Sequence, residues 1–246
     1  MRIRALMTGI STVALVAAFA VPQAAAEPTQ RTYEVTVTNL TGGQPLTPPV
    51  VATHLGAYDA FDVGSPASEA VQQIAENGDG GPLLAELGSS KHVDAFLQTG
   101  TGPLVPDGLA GSGMFADAVT FEITAGPGAN FLSYVSMLIC TNDGFTGADA
   151  LKLPNQVGQT ATAATFGYDA GTEINTEDFA DIVPPCQALV GVTSGDAGTG
   201  MTNPALAEGG VIHHHGGVAG IADLVPGIHG WDTSAPVAEI LITRTG

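Results

Sequence analysis

Two short segments of this sequence, each predicted to be a loop that follows a strand, place carboxylates beside glycine and asparagine. Asp143 lies in segment 141–149 (TNDGFTGAD), and Asp169 and Glu173 lie four residues apart in segment 168–175 (YDAGTEIN). Glycine lets the backbone fold back, so these carboxylates can converge, and converging carboxylates repel one another unless a cation lies between them. Calcium accepts six to eight oxygens from irregular loops. The pattern predicts a Ca²⁺ site, although Asp and Asn in such segments can also simply form turns.

A second candidate metal site is a run of three histidines. His213, His214 and His215 stand between glycines, and in an extended segment His213 and His215 point the same way. Together with His229 they could bind Zn²⁺ or Cu²⁺. The alternative is that these histidines are loop residues that pack or form hydrogen bonds.

The charge balance limits the classes of partner. The chain has 6 Lys+Arg against 24 Asp+Glu, a formal net charge of -18. So few bases cannot neutralise a run of phosphates, which argues against nucleic-acid binding, and an anionic membrane surface would repel the protein. The composition leaves a cation as the favoured partner. At 44% hydrophobic residues, the chain should fold rather than remain disordered.

The beginning of the sequence reads as an export signal. Arg2 and Arg4 precede an apolar run over 5–21, and small residues at 24–26 favour cleavage before Glu27. Residues 1–26 are therefore predicted to be a signal peptide, with an uncleaved membrane anchor as the alternative. The mature protein would be periplasmic or extracellular, without membrane insertion.

The two cysteines fit the same compartment. Cys140 and Cys186 are the 2 cysteines of the chain. Two cysteines in an exported protein usually pair, so we expect a disulfide between them. A thiol pair that binds metal is the alternative, although the spacing matches no zinc signature.

The hydrophobic pattern predicts one all-β domain over 27–246. Alternating apolar and polar residues predict a first strand over 32–40 and a last strand over 236–244, which we expect to pair. Further strands are predicted over 120–124, 130–140 and 161–168. One helix is expected to begin at Ser65 as N-cap and to end at Asn77-Gly78, and a short second helical turn is predicted over 83–87.

Several segments of the chain resemble the spondin-type (spondin N-terminal) domain, especially its bacterial secreted members. Segment 65–71 (SPASEAV) is similar to a P/Y-A-S-E-G-V stretch, with Ala70 where Gly is usual. Segment 132–147 resembles the strand and T-N-D-x-F loop of bacterial members, and 168–173 (YDAGTE) resembles the Y/W-D-A-G-T-D/E motif. The ending 236–244 (PVAEILITR) resembles the closing P-V-A-x-I-x-I-x-R.

The resemblance implies an antiparallel β-sandwich similar to C2 domains, with Ca²⁺ held by loops. It assigns Asp143, Asp169 and Glu173 as the ligands, and Asn142 and Asp149 are expected to hold these ligands in place by hydrogen bonds. Glu173 stands where Asp is common and extends the carboxylate by one methylene. The implied function is a secreted adhesion or recognition module that binds an unidentified cell-surface component.

We expect no catalysis. The sequence contains no G-x-S-x-G, no H-E-x-x-H and no phosphate-binding glycine loop. A hydrolase is the remaining alternative, in which Asp143 and Asp169 would act as an acid/base pair on a glycoside. Carbohydrate sites usually also need aromatic platforms, and Trp231 is the 1 Trp of the chain.

Overall fold

The computed structural model describes residues 30–100 and 102–246. The predicted signal peptide over 1–26 lies outside the described residues. The strands are β1 (Arg31–Asn39), β2 (Val50–His54), β3 (Val93–Gln98), β4 (Ala118–Ala125), β5 (Phe131–Met137), β6 (Gly144–Lys152), β7 (Thr160–Thr165), β8 (Gly167–Asp169), β9 (His213–His214) and β10 (Ala238–Arg244). The helices are α1 (Glu69–Asn77), α2 (Gly81–Ser89), α3 (Pro185–Val190) and α4 (Pro226–His229).

The strands form two antiparallel sheets that pack face to face. One sheet has four strands in the order β4-β1-β10-β7, and the other has six in the order β3-β2-β5-β6-β8-β9. The main core lies between them and contains Tyr33 and Val35 of β1, Ile240 of β10 and Leu132 and Tyr134 of β5. This arrangement confirms the predicted all-β sandwich.

The first and last described strands pair as expected. β1 lies between β4 and β10, and Val37 of β1 is opposite Ile240 of β10. Tyr33, Val35 and Val37 are buried, and the residues between them are half-buried or exposed. The alternation seen in the sequence therefore reports which face of β1 packs against the second sheet.

A helical layer covers the outer face of the six-stranded sheet. Val71 and Ile74 of α1 pack with Leu83 of α2 against Val135 of β5 and Phe145 of β6. The strands of this sheet are thus covered on both faces, which explains why β5 reads as a nearly continuous apolar run. In the part of the chain that the structure describes, no helix has the length and apolar character needed to cross a membrane.

The first helix begins later than the sequence predicted. Its N-cap is Ser68, whose hydroxyl accepts a hydrogen bond from the backbone N–H of Val71, 3.2 Å away, rather than Ser65. Ser68 is a serine with the same capping chemistry, three residues further along, so composition alone does not choose between the two. The predicted end is correct, because Gly78 adopts φ 66° as the C-cap.

Two predictions about strands were inaccurate. Segment 141–149 is a short turn followed by β6, not one loop. Gly147 lies within this strand, where an added Cβ would be 2.4 Å from the Tyr134 carbonyl oxygen. Segment 161–168 is not one strand. The chain changes sheets at Phe166, since β7 pairs with β10 and β8 pairs with β6.

Charge is distributed unevenly along the sandwich. Among the described residues, the Lys and Arg side chains all belong to one end: Arg31 begins β1, Arg244 ends β10, Lys152 ends β6 and Lys91 precedes β3. The strand pairing places these four residues at the same end of the sandwich. Asp143 lies in the turn between β5 and β6, at the opposite end.

Neighbouring positions on β10 test the assignment of its faces. Ile240 is 0% exposed in the core and Leu241 is 37% exposed on the other face. We expect Ile240→Ala to lower the free energy of unfolding by about 2–5 kcal/mol, because it opens a cavity. Leu241→Ala, the matched control, should cost less than about 1 kcal/mol. Urea unfolding of both variants measures the loss of free energy of unfolding. Equal losses in the two variants would contradict the assignment of Ile240 to the core.

Candidate functional site

The tip of the β5–β6 hairpin is folded around Thr141. The Thr141 hydroxyl donates to the Leu138 carbonyl, 2.6 Å away, and accepts from the backbone N–H of Gly144 at 2.9 Å. A Cβ on Gly144 would lie 2.4 Å from this hydroxyl, so a side chain there would open the turn. The tight turn directs the intervening Asp143 side chain inward, where it is 0% exposed.

Asp143 uses one carboxylate oxygen to hold the turn that follows β8. Its Oδ2 accepts from the backbone N–H of Thr172 at 2.8 Å, the Thr172 hydroxyl at 3.1 Å and the backbone N–H of Glu173 at 2.9 Å. The Asp143 carbonyl also accepts from Ala170 N–H. The other oxygen, Oδ1, is buried and has no hydrogen-bond partner.

Asp169 ends β8 beside this turn and is also buried. Its Oδ1 accepts from the backbone N–H of Gly171 at 2.8 Å, and its Oδ2 accepts from the Asn175 side-chain amide at 2.7 Å. Gly171 has φ 67°, and a Cβ there would lie 2.6 Å from the backbone nitrogen of Val211. Glycine is therefore required for the fold-back that the sequence predicted in the D-A-G-T-E segment.

Two carboxyl groups of this end, those of Asp143 and Glu173, have raised pKa values. Burial, followed by repulsion from Asp169, raises the pKa of Asp143 from 3.8 to about 6 despite the hydrogen bonds that it accepts. Burial, followed by repulsion from Glu76, Asp143 and Asp181, raises the pKa of Glu173 from 4.5 to about 8. Among the described residues, no Lys or Arg side chain lies at this end to favour the ionised carboxylates.

The predicted ligands fit a cation unequally. Asp143 and Asp169 repel each other, and Asp143 Oδ1 is an acceptor without a donor, which suits a bound cation. Glu173 is 3% exposed and adjoins Asp143, but the ligand atoms of the three residues do not all lie within 4.8 Å of one another. Among the described residues, a set of acids that meets this distance is Asp178, Asp196 and Asp223.

Asn142 connects the hairpin tip to two further segments. Its side-chain amide donates to the Thr176 hydroxyl at 3.1 Å, and its Oδ1 accepts from the backbone N–H of Glu177 at 3.3 Å. The Glu177 carboxylate in turn accepts from the backbone N–H groups of Ala219, Gly220 and Ile221. Asn142 therefore lies beside the predicted ligands and holds their loops together.

Glu177 also belongs to this end, although no pattern in the sequence indicates it. Glu177 is buried and adopts φ 57°, a left-handed conformation that is unusual for a side chain of this kind. Its three acceptor bonds join it to a loop more than 40 residues further along the chain. A contact of this range leaves no local pattern in the sequence.

Asp149, the other residue expected to hold the ligands in place, lies elsewhere. It is on β6, five residues beyond Gly144, which corresponds to roughly 17 Å along a strand. Its Oδ1 accepts from the backbone N–H of Ala60 at 2.8 Å and from the Ser133 hydroxyl at 3.0 Å. Its carboxylate thus belongs to a cluster distant from the hairpin tip.

The three candidate histidine ligands do not converge among the described residues. The His213 side chain is 52% exposed, and its Nδ1 lies 3.7 Å from Asp169 Oδ1. His215 and His229 are buried, and the Nδ1 of each accepts a backbone N–H, from Gly217 and Val225 respectively, both at 2.9 Å. Each neutral ring therefore has its proton on Nε2, which leaves no free lone pair for a metal in this arrangement.

The predicted disulfide is present. Cys140 and Cys186 are bonded, and both are fully buried. The bond joins the residue before Thr141 to α3 and lies in a separate apolar cluster with Phe179 and Ile182. The covalent link fixes the base of the turn that contains Asp143.

The raised pKa values give a pH dependence that can be measured on chelator-treated protein. Folded Asp143 and Glu173 retain protons that the unfolded chain has released, so the free energy of unfolding should fall as pH rises from about 4 to about 8. Asp143→Asn should make this fall shallower, whereas the exposed control Asp107→Asn should leave it unchanged. Urea unfolding at several pH values measures this pH dependence. Equal slopes of the free energy of unfolding against pH in Asp143→Asn and Asp107→Asn would contradict the raised pKa of Asp143.

No curated protein matches the chain. A protein-family model described as Spondin_N matches residues 44–179, a range that includes Asp143, Asp169 and Glu173 as well as α1 and most strands of the six-stranded sheet. The matched range covers more than half of the sequence, and the chain therefore belongs to the Spondin_N family.

Proposed function

We propose that this protein is a non-catalytic extracellular recognition module whose hairpin-tip end binds Ca²⁺. Membership of the Spondin_N family suggests an extracellular recognition module. The Cys140–Cys186 disulfide is compatible with an extracellular or secreted protein. Calcium binding and the absence of catalysis are the finer parts of the proposal.

The buried, unpartnered Oδ1 of Asp143 is the main support for calcium. A buried acceptor without a donor costs free energy, and a carboxylate oxygen is a hard ligand of the kind that Ca²⁺ prefers. The bases of the described chain are at the opposite end of the sandwich, so a side-chain cation does not fill this role. A bound divalent cation would supply the missing positive charge.

Asp143 and Asp169 would be the central ligands, and Glu173 would be the third carboxylate. Asp143 and Asp169 belong to two turns, one after β5 and one after β8, which repel each other through these side chains. The Asn142 side chain holds segment 176–177 beside them. The protein thus positions the carboxylates in advance through hydrogen bonds, and Ca²⁺ would neutralise them.

Burial of the same carboxylates supports a non-catalytic role. Asp143, Asp169 and Glu173 are all at most 3% exposed, and each oxygen of Asp169 already accepts a hydrogen bond. An acid/base pair must reach the proton that it transfers, whereas these groups face the protein interior. The surface around them, rather than the carboxylates, would contact a partner outside the cell.

Calorimetry with and without Ca²⁺ tests this proposal. At a free Ca²⁺ concentration of 100 times Kd, binding should stabilise the wild-type protein by about 2.7 kcal/mol. Asp143→Asn should lose most of this gain, yet should be at least as stable as wild type without Ca²⁺, because it removes a buried repelling charge. Asp107→Asn, an exposed acid outside the site, should respond to Ca²⁺ like wild type.

Titration calorimetry provides the independent measurement of uptake. Heat of binding that saturates in wild type and Asp107→Asn, but not in Asp143→Asn, is the expected result. Absence of calcium uptake in the wild-type protein, together with an unchanged melting temperature, would refute the proposal.

A further inference from the structure

The edge of the four-stranded sheet at β7 is open. β7 is the last strand in the order β4-β1-β10-β7, and among the described residues it pairs with β10 alone. The backbone N–H of Arg244 donates to the carbonyl of Gln159, which directly precedes β7, at 3.0 Å. Since the direction of hydrogen bonding alternates along an antiparallel strand, the backbone groups of Thr160, Thr162 and Ala164 point away from β10. The calcium proposal uses none of these groups.

The other terminal strands of the two sheets are protected, whereas β7 is not. The edge of β4 is met by β2, whose Thr53 hydroxyl donates to the Thr124 carbonyl at 2.7 Å. β3 contains the charged Asp94, whose carboxylate accepts the backbone N–H of Gly126 at 2.7 Å, and β9 is only 2 residues long. β7, with the sequence TATAAT, pairs continuously with β10 over 6 residues and contains neither charge nor proline. It therefore lacks the features by which edge strands avoid pairing with other chains.

The core of the sandwich is also open beside β7. A groove of 140 Å³ lies between the end of β6 and β7, and its lining includes Leu151, Ala161, Ala163 and Ile242. Leu151, Ala161 and Ala163 are only half-buried, although Leu151 and Ala163 pack against the main core. A further strand beside β7 would accept its outward hydrogen bonds and cover this side of the core at the same time.

We propose that a second copy of this protein adds its own β7 to this edge, so that the two four-stranded sheets join into one continuous sheet. β7 is complementary to itself in an antiparallel pair centred on Thr162. In this register Thr162 faces Thr162 of the second copy, and Thr160 faces Ala164. All outward backbone groups of the strand then find partners, whereas a shift of two residues leaves one position of each copy unpaired. The resulting dimer has two-fold symmetry.

The side chains of β7 match a second copy better than a charged partner. On the exposed face, the hydroxyls of the two Thr162 side chains can form a hydrogen bond across the axis, a favourable cross-strand pair. On the inner face, Ala161 lies opposite Ala163 of the second copy, and these small side chains cover the groove. A partner recognised by its positive charge would find no acid on β7. The strand thus selects by backbone hydrogen bonding and shape, which its own copy satisfies.

The interface is short, and the charge of the protein opposes it. An edge of 6 residues belongs to the class of weak, transient interfaces, which bury less than about 1,200 Å². The formal net charge of -18 on each chain repels the other copy, and salt weakens this repulsion. Monomer and dimer therefore interconvert, and the dimer gains as protein concentration or ionic strength rises.

The symmetry of the dimer determines where its two hairpin-tip ends lie. The two β7 strands run in opposite directions, so the two Asp143 ends point away from each other. Each dimer therefore presents two such ends, at opposite ends of the joined sandwich. Contact with two partners at once, unlike the dimer itself, rests on the proposed recognition function.

Disulfide trapping tests the register of the two strands. The 2 cysteines of the chain are bonded to each other and buried, so a cysteine introduced on β7 is the one free thiol. Thr162→Cys should form a covalent dimer under mild oxidation, because facing residues of a hydrogen-bonded antiparallel pair have Cα atoms about 5.5 Å apart. Thr160→Cys alone should not, since its two copies lie about 13 Å apart along the strands. A mixture of Thr160→Cys and Ala164→Cys should form mixed dimers.

Analytical ultracentrifugation tests association without a cross-link. The average mass of the wild-type protein should rise with concentration toward twice the monomer mass, and more steeply at higher salt. Thr162→Lys should abolish this rise, because it places two like charges directly opposite each other. Thr120→Lys is the matched control, since Thr120 is an exposed threonine of β4 in the same row across the sheet, through Thr36 and Leu241. It should associate like wild type.

Two results would overturn the proposal. One is a monomeric mass at every concentration and salt, with Thr162→Cys cross-linking no faster than Thr160→Cys, which would leave the edge of β7 to a strand of another protein. The other is a dimer that persists in Thr162→Lys, because such a dimer would assemble through a different surface.

Discussion

The buried carboxylate of Asp143 is the group on which the organisation of its end of the sandwich depends. One of its oxygens accepts hydrogen bonds from the backbone of the turn after β8. The side chain of the neighbouring Asn142 accepts one from the backbone N–H of Glu177. Glu177 then holds the loop at 219–221 through its own carboxylate. Hydrogen-bond acceptors thus hold together three segments that are distant in the sequence. They lie around Asp143 Oδ1, which has no hydrogen-bond partner in the described residues.

The alternation of apolar and polar residues predicted those strands that have one face in the core and the other face outside it. β1 and β10 each have one face in the core, so their alternation was visible and their pairing could be expected. The first part of β6 was predicted to be a loop because its glycines and acids are typical of turns. At Gly147, however, the glycine allows the backbone of β5 to approach closely. The change of sheet at Phe166 could not be predicted, since alternation does not show which sheet a strand joins.

The two polar clusters differ in how much of them was visible in the sequence. Asp143 and Asp169 could be predicted as metal ligands because these carboxylates stand beside glycines in a chain with few bases. His54, Ser133 and Asp149 come from three strands, and their contact depends on a bulge that adds one residue to β6. Their spacing in the sequence matches no motif, so only the strand register reveals that they are in contact.

The pairing of β1 with β10 has a consequence for the order of folding. Val37 meets Ile240 about 200 residues later, and β1 is a central strand of its sheet. While the chain is being synthesised, β1 can pair with β4, but its other edge stays open until β10 has emerged. Closure of the four-stranded sheet is therefore a long-range and slow step, which cannot be completed before β10 is available.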